Sequence, residues 1–417
     1  MIIGSALLMT LAAAAPSLQA EQFDTADGLD VVLVQVPGAT RVALRVVVRS
    51  GAAQDPWKRN GLAHVLEHLI FHGTYDLGGD DLQDLIEVEG ATYNAFTSPD
   101  DTQYQLEAPK GAWLALAGRY LDAVTNPAVT LSTLDKELGV VDVEAQMFSA
   151  RGLHWLADLV LFPGNRGGPP VIGSTNTRWQ LTFRDLTEFY AQHYVPNNTT
   201  FMVVGDVSKA QVELLLSEHV HWPPQPDVEA PQLAAMDLNV PVSQSVPGPL
   251  TGVIFGYHVP ELDAPSCEAL SRLLELRLTS EIIAEDALAS QVSVRCTSLR
   301  GHRLLLATTI SGSFQGAVLP DLVEETFASA ASTPTSGKEV ALIRRREDAQ
   351  LRAAWADPGA LANRLHPALL RSGPERTATL QALLHPSRPS PAALQRAARD
   401  AFKPERRILV HLTPFER

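Results

Sequence analysis

Cysteine is nearly absent from this chain: its 417 residues hold two, Cys267 and Cys296. That excludes a cysteine-rich metal cluster and a disulfide-dense scaffold. Two readings of the pair stay open, a disulfide formed in an oxidising compartment or two buried thiols. Basic charge is also short, with 33 Lys and Arg against 47 Asp and Glu and a net charge of −14. Such a balance argues against a nucleic-acid backbone as partner. Beyond the first residues no run is long and apolar enough to cross a bilayer, and no G-x-S-x-G elbow offers a serine nucleophile. What is present is ordinary globular composition, 45% hydrophobic and 19% charged, in a chain long enough for two or three domains.

The first twenty residues read as a secretory leader. An apolar core covers 2–15, Pro16 follows, and Leu18-Gln19-Ala20 gives small-residue cleavage after Ala20. No Lys or Arg precedes that core, so the positive end rests on the terminal amine. The expectation is export, to the periplasm in a bacterium.

The stretch 60–74, NGLAHVLEHLIFHGT, organises the rest. Asn60 suits an N-cap, Leu62, Val65, Leu66, Leu69 and Ile70 form an apolar stripe, and Gly73 suits C′, so a helix is expected. It carries His64, Glu67 and His68 in the order H-x-x-E-H. On a helix the two histidines lie one turn apart on the same side. Imidazoles at that spacing suit adjacent corners of one zinc ion. Glu67 flanks them, within reach of a proton on attacking water. The competing reading is a solvated face with two histidines, and a third ligand would decide between them.

Before this helix, 29–36 and 42–50 read as strands, and after it 80–89 reads as a second helix. Strands are expected at 91–98 and 101–108. The first of these is small and polar enough for an exposed edge, which could receive an extended peptide. Helices follow at 113–124 and 134–148, the latter capped by Ser132 and carrying Glu137 and Glu144 two turns apart. After a loop at 164–170, a helix at 183–194, a strand at 200–205 and a helix at 208–219, the Pro-rich, aperiodic 222–246 reads as a linker. The second half then repeats the order: a strand at 252–257, a helix at 266–283, strands at 292–299 and 302–310, helices to 402, and a last strand at 407–412. LTEFYAQHYVP (186–196) matches LQRAARDAFKP (394–404) in length, and a hydrophobic strand follows each. The pattern points to duplication of an α+β unit of roughly 200 residues. Where the first half has H-x-x-E-H, the second has Glu268-Ala269-Leu270-Ser271-Arg272, without metal ligands.

GLAHVLEHLIFHGT, GATYNAFTSPDDTQYQLEAP, KELGVVDVEAQ and HYVPNNTTFMVVGDV together resemble the pitrilysin-type inverted zinc peptidases. The resemblance is to their short two-domain group, which includes the mitochondrial processing peptidases and bacterial relatives, and it covers nearly the whole mature chain. It implies one zinc per chain, held by His64, His68 and a glutamate from the distant helix. Glu144, 76 residues after His68, fits that place. Glu67 would be the general base, Glu137 a carboxylate orienting a ligand, and Asn94 with the Ala95 backbone the edge-strand site for peptide. His72 extends the histidine row but is expected to be a surface or packing residue. One departure stands out. Self-sufficient members carry an Arg and a Tyr in the second domain, where alignment here gives Ala284 and Ser290. A homologous partner supplying that pair, and so a heterodimer, is therefore expected.

The expected fold is α+β, with two homologous α/β-sandwich lobes. Each is a mostly antiparallel sheet packed on helices: a leader at 1–20, a zinc-bearing lobe at 21–222, a linker at 223–246 and a metal-free lobe at 247–417. The expected activity is zinc-dependent endopeptidase action on short or unfolded peptides held as an extended strand. The alternative is a non-catalytic scaffold or chaperone-like subunit of the same fold. No nucleic-acid partner and no membrane span in the mature chain are expected.

Overall fold

The computed structural model describes residues 18–56, 58–148, 171–223, 241–248, 251–285, 288–299, 302–311, 318–386 and 388–414. Most of the leader, the 164–170 loop and most of the linker lie outside the described residues.

Two mixed sheets carry the fold. The first has strands β1 (Ala20–Asp24), β2 (Asp30–Gln35), β3 (Arg41–Val48), β4 (Thr92–Thr97), β5 (Thr102–Pro109) and β6 (Thr199–Gly205), in the order β1-β2-β6-β3-β5-β4. Only β2 and β6 run parallel. The second has β7 (Val242–Gly248), β8 (Thr251–His258), β9 (Gln291–Leu299), β10 (His302–Ser311) and β11 (Arg407–Pro414), in the order β7-β11-β8-β10-β9. Its one parallel pair is β7 with β11. From β2 onward the two orders correspond strand for strand, which is the duplication seen in the sequence. The α+β architecture with two sheets packed against helices is as expected.

Two strands were not anticipated. β1 is short and polar and follows directly on the leader, so nothing marks it but its pairing with β2. β7 occupies 242–248, starting within the stretch read as linker and running two residues past its end; Pro241 and Pro247 mask the alternation of Val-Ser-Gln-Ser-Val. In addition, Leu18 is buried and its carbonyl accepts from His385 Nε2 at 2.9 Å. Cleavage after Ala20 would remove that contact.

The helices of the first half are α1 (Leu62–Ile70), α2 (Gly79–Val88), α3 (Trp113–Thr125), α4 (Leu131–Phe148), α5 (Thr175–Arg178), α6 (Phe183–His193) and α7 (Lys209–His219). The second half has α8 (Ala264–Leu278), α9 (Leu319–Ser332), α10 (Gly337–Ala356), α11 (Pro358–Leu369), α12 (Gly373–Leu384) and α13 (Pro391–Ala401). α4 begins earlier than expected, because the Thr130 hydroxyl rather than Ser132 accepts the N–H of Thr133 at 3.1 Å.

The near-continuous apolar runs of β2, β3 and β6 follow from burial on both faces. One face packs Val31, Leu33, Leu44, Val46, Phe201 and Val203 beneath α1, α3 and α6. The other packs Val32, Val34, Ala43, Val47, Met202 and Val204 against Leu361, Leu365, Leu369 and Leu380 of α11 and α12. Helices from the second half therefore close the first sheet. Arg45, fully buried in β3, fixes that contact: its Nη2 reaches Glu107 Oε1 at 2.7 Å, Asn363 Oδ1 at 3.0 Å and the Gly359 carbonyl at 3.3 Å. In the second half Cys267 of α8 is disulfide-bonded to Cys296 of β9.

Candidate active site

α1 is set by its buried start. Asn60 is not the cap: Gly61 takes that position with φ 98° and has no side chain to offer. The left-handed conformation favours glycine, and a Cβ there would lie 2.8 Å from the Ile172 carbonyl. The cap comes from upstream instead. The Asp55 carboxylate accepts the N–H of Gly61 at 2.7 Å and of Ala63 at 2.9 Å. The helix ends at Ile70, and Gly73 turns the chain beyond it with φ 83°. Leu62, Val65, Leu66, Leu69 and Ile70 are fully buried, which turns His64, Glu67 and His68 toward α4.

The structure brings the separate halves of the expected ligand set together. Glu144 Oε2 lies 3.6 Å from His64 Nε2 and 3.3 Å from His68 Nε2. Neighbouring ligand atoms of a tetrahedral zinc with bonds of about 2.0–2.1 Å are separated by roughly 3.3–3.4 Å. Glu67 is a rival third acid, since it too offers an oxygen within 4.8 Å of both imidazoles. Hydrogen bonding separates the two. Glu67 Oε2 accepts the Thr97 hydroxyl, whereas Glu144 Oε2 is buried and finds no hydrogen-bond partner among the described residues. A buried, unsatisfied carboxylate oxygen facing two imidazoles fits a cation. The set His64, His68 and Glu144 could therefore hold zinc, with Glu67 beside it.

Glu137 stands behind the imidazoles. Its Oε2 is 3.1 Å from His68 Nδ1 and its Oε1 is 2.9 Å from His72 Nε2. His72 is thus a second anchor for Glu137 and does not join His64 and His68. The position of α4 is braced from behind by Asp142, which accepts from Arg178 and, at 2.7 Å, from Trp179 Nε1. Thr97 and Arg178 were not anticipated, and His72 was expected to be a surface or packing residue rather than a partner of Glu137. Their pairings join elements far apart in sequence, and no local spacing signals them.

The electrostatics follow from burial and these pairings. Burial pushes the Glu67 carboxyl up to about 7, against the hydrogen bonds from Thr97. Burial pushes His64 down to about 4, helped by neighbouring His68. At His68 burial acts downward too, but the Glu137 and Glu144 carboxylates outweigh it and raise the imidazole to about 9. Glu137 is lowered to about 2, because its two imidazole partners overcome its own desolvation. Two carboxylates held in the ionised form, Glu137 and Glu144, thus stand against a His64 imidazole that resists protonation.

β4 is the open edge of the first sheet, as expected, and it packs against α1. Asn94 is exposed, and its Oδ1 accepts the N–H of Ala95 at 3.0 Å. Phe96 on the same strand is 52% exposed.

Residues 30–169 match the family described as Insulinase (Peptidase family M16), and residues 180–345 match Peptidase M16 inactive domain. The chain belongs to peptidase family M16. It is 26% identical over 341 residues to the zinc protease PqqE of Helicobacter pylori, covering 73% of each chain. It is 28% identical over 201 residues to the probable mitochondrial-processing peptidase subunit beta of Schizosaccharomyces pombe, covering 46% of this chain and 43% of that one. It thus spans less than half the length of that relative. Its fold is similar to that of a solved Helicobacter pylori protease, with a TM-score of 0.83 at 20% identity over 95% of this chain and 100% of that one.

In the M16 inactive half, the α8–α10 contact corresponds to the α1–α4 contact. Arg272 stands where His68 does and is paired with Glu347 of α10, and its Nη2 lies 3.9 Å from Glu268 Oε2. Ser290 sits exposed ahead of β9, its N–H bonded to the Ile310 carbonyl at 2.8 Å. The side chain of Ala284 lies outside the described residues.

Proposed function

We propose that the chain is a zinc-dependent endopeptidase acting on short or unfolded peptides held as an extended strand. The observation that carries this reading is the unsatisfied Glu144 oxygen, 3.6 and 3.3 Å from two imidazole nitrogens. His64, His68 and Glu144 would hold one zinc ion, and Glu137 would orient His68 through its Nδ1–H. Zinc supplies Lewis acidity at such a site, polarising the scissile carbonyl and acidifying water. Glu67, held at the flank by Thr97, takes the proton of the attacking water and passes it to the departing amine. Peptide backbone would pair with the open edge of β4 at Asn94 and Ala95.

The chain would work as the zinc-bearing subunit of a pair. Ser290 stands where self-sufficient relatives carry the tyrosine, so a homologous partner would supply the Arg and Tyr. Export to an oxidising compartment is supported by the apolar leader and by the Cys267–Cys296 disulfide. Among the described residues no helix is long and apolar enough to cross a membrane.

Glu67→Gln tests the core of this reading. Peptide turnover should vanish while one zinc per chain stays bound. Loss of zinc from the variant would make Glu67 a ligand and overturn the assigned roles. Full activity of the chain alone, with no homologous partner, would remove the paired-subunit reading.

A further inference from the structure

We propose that Thr97 is the positioning residue of this site: it ends the peptide-docking edge and aims the Glu67 carboxylate at the register of cleavage. The inference rests on the peptidase reading above. Thr97 closes β4 and is 4% exposed, while Asn94 and Phe96 earlier on the same strand are open. The hydroxyl of Thr97 lies 3.5 Å from Thr102 Oγ1, but the partner that matters to the reaction is Glu67. Its hydroxyl donates to Glu67 Oε2, and its main-chain N–H also favours the charged form of that carboxylate.

Main-chain groups of alternate residues leave a strand on the same side. The N–H of Ala95 is taken by the Asn94 side chain, which places it toward the open edge, and by the same alternation the N–H of Thr97 points that way too. A peptide laid along β4 finds a free rung at Ala95 once Asn94 swings aside. At the next rung it meets Glu67 in place of an open N–H. The ladder that binds backbone therefore stops where the base begins, and the residue that stops it also holds the base.

The end of β4 is built to keep that alignment. Ser98 donates to Asp101, whose carboxylate also lies 3.1 Å from His366 Nε2 of α11. Thr102 anchors the other arm of the turn on the Ser50 carbonyl at 2.9 Å. A Cβ on Gly51 would come 2.8 Å from the Asp101 nitrogen, so the loop before α1 is pressed against the turn. An aiming hydroxyl of this kind acts on the reaction step and not on peptide or metal binding.

The test compares Thr97→Val and Thr97→Ser with the wild-type chain, each co-expressed with its homologous partner. The probe is a fluorogenic peptide cleaved by the wild type, and zinc is counted by metal analysis. Thr97→Val should lower kcat by about 10- to 100-fold, with KM within about twofold and one zinc per chain retained. Thr97→Ser, which restores the hydroxyl, should return kcat to within about threefold of wild type. Unchanged kcat in Thr97→Val overturns the inference. A loss that serine does not rescue, or one that appears as raised KM or lost zinc, also overturns it by making the role structural. Wild-type complex that holds zinc but cleaves no peptide fails differently: it removes the peptidase reading itself.

Discussion

Replacing Glu137 by Gln separates a carboxylate that supports a ligand from one that is a ligand. Glu137 is 8% exposed and touches two imidazoles, His68 Nδ1 at 3.1 Å and His72 Nε2 at 2.9 Å. Glutamine keeps the volume and one acceptor oxygen but loses the charge. Its amide nitrogen must then face one of the two ring N–H donors. A charge-assisted hydrogen bond of about 1.5–3 kcal/mol becomes a neutral one of about 0.5–1.5 kcal/mol. The difference, about 1.5 kcal/mol, corresponds to roughly a tenfold loss of zinc affinity, inside the 10- to 100-fold range of such partners. Glu144→Gln removes the oxygen lying 3.3 Å from His68 Nε2 and should cost more than about 100-fold. Glu67→Gln should leave affinity within about threefold. Competition titration against a chromophoric chelator reads all three on one scale. Equal losses for Glu137→Gln and Glu144→Gln, or no loss for Glu144→Gln, would refute the assignment of ligand and support.

Arg45→Ala should destabilise the chain by about 3–5 kcal/mol, read by chemical denaturation, because it strands the Glu107 carboxylate, Asn363 and the Gly359 carbonyl beneath α11. A loss below about 1 kcal/mol would mean the second-half helices do not depend on it. His193 is buried, lowered to about 4 by desolvation, and bonded through Nδ1 to the Ser50 hydroxyl at 2.9 Å. The unfolded chain therefore binds its proton first, and stability present above about pH 6.5 falls as pH drops toward 4, by at most about 3 kcal/mol. His193→Gln should flatten that acid limb in thermal melts, and an unchanged limb would assign it to other groups. Glu268→His with Arg272→His should raise bound zinc toward two per chain by metal analysis, with Glu347 as the third ligand. A stoichiometry fixed at one would mean that the α8–α10 contact does not reproduce the geometry of α1–α4.

What was legible in the sequence was whatever repeats within one element. His64, Glu67 and His68 share a helix face, Glu137 and Glu144 share another, and the polar pattern of 91–98 marks an edge strand. Each follows from a period of 3.6 or 2. The strand at 200–205 was visible as a hydrophobic run, although its burial on both sides and its covering helices were not. What escaped was contact between elements. Asp55 caps α1 from outside the helix because Gly61, needed for its left-handed turn, has no side chain to cap with. β7 was hidden by flanking prolines, and β1 by its polarity. The packing of α11 on the first sheet is anchored by a buried arginine on β3, which within that strand looks like a polar interruption.

The two halves solve one electrostatic problem in different ways. In each, a helix that follows an inner strand crosses a later helix carrying an acid, half-buried at Glu144 and buried at Glu347. From His68 to Glu144 the separation is 76 residues; from Arg272 to Glu347 it is 75. An isolated carboxylate at such a crossing is costly to bury, so some positive charge must stand against it. In the second half the charge is covalent: Arg272 brings its own guanidinium to Glu347, and the contact is closed without any ligand. In the first half the two positions that could carry such a cation are imidazoles. His64, lowered to about 4, resists taking a proton, and Glu144 Oε2 is left unsatisfied. The same crossing that is closed by a guanidinium in one half presents in the other two imidazoles and a carboxylate that could hold an ion from solution. On the proposed reading, that open ligand set, at the end of an open strand edge, makes the first half the reactive one.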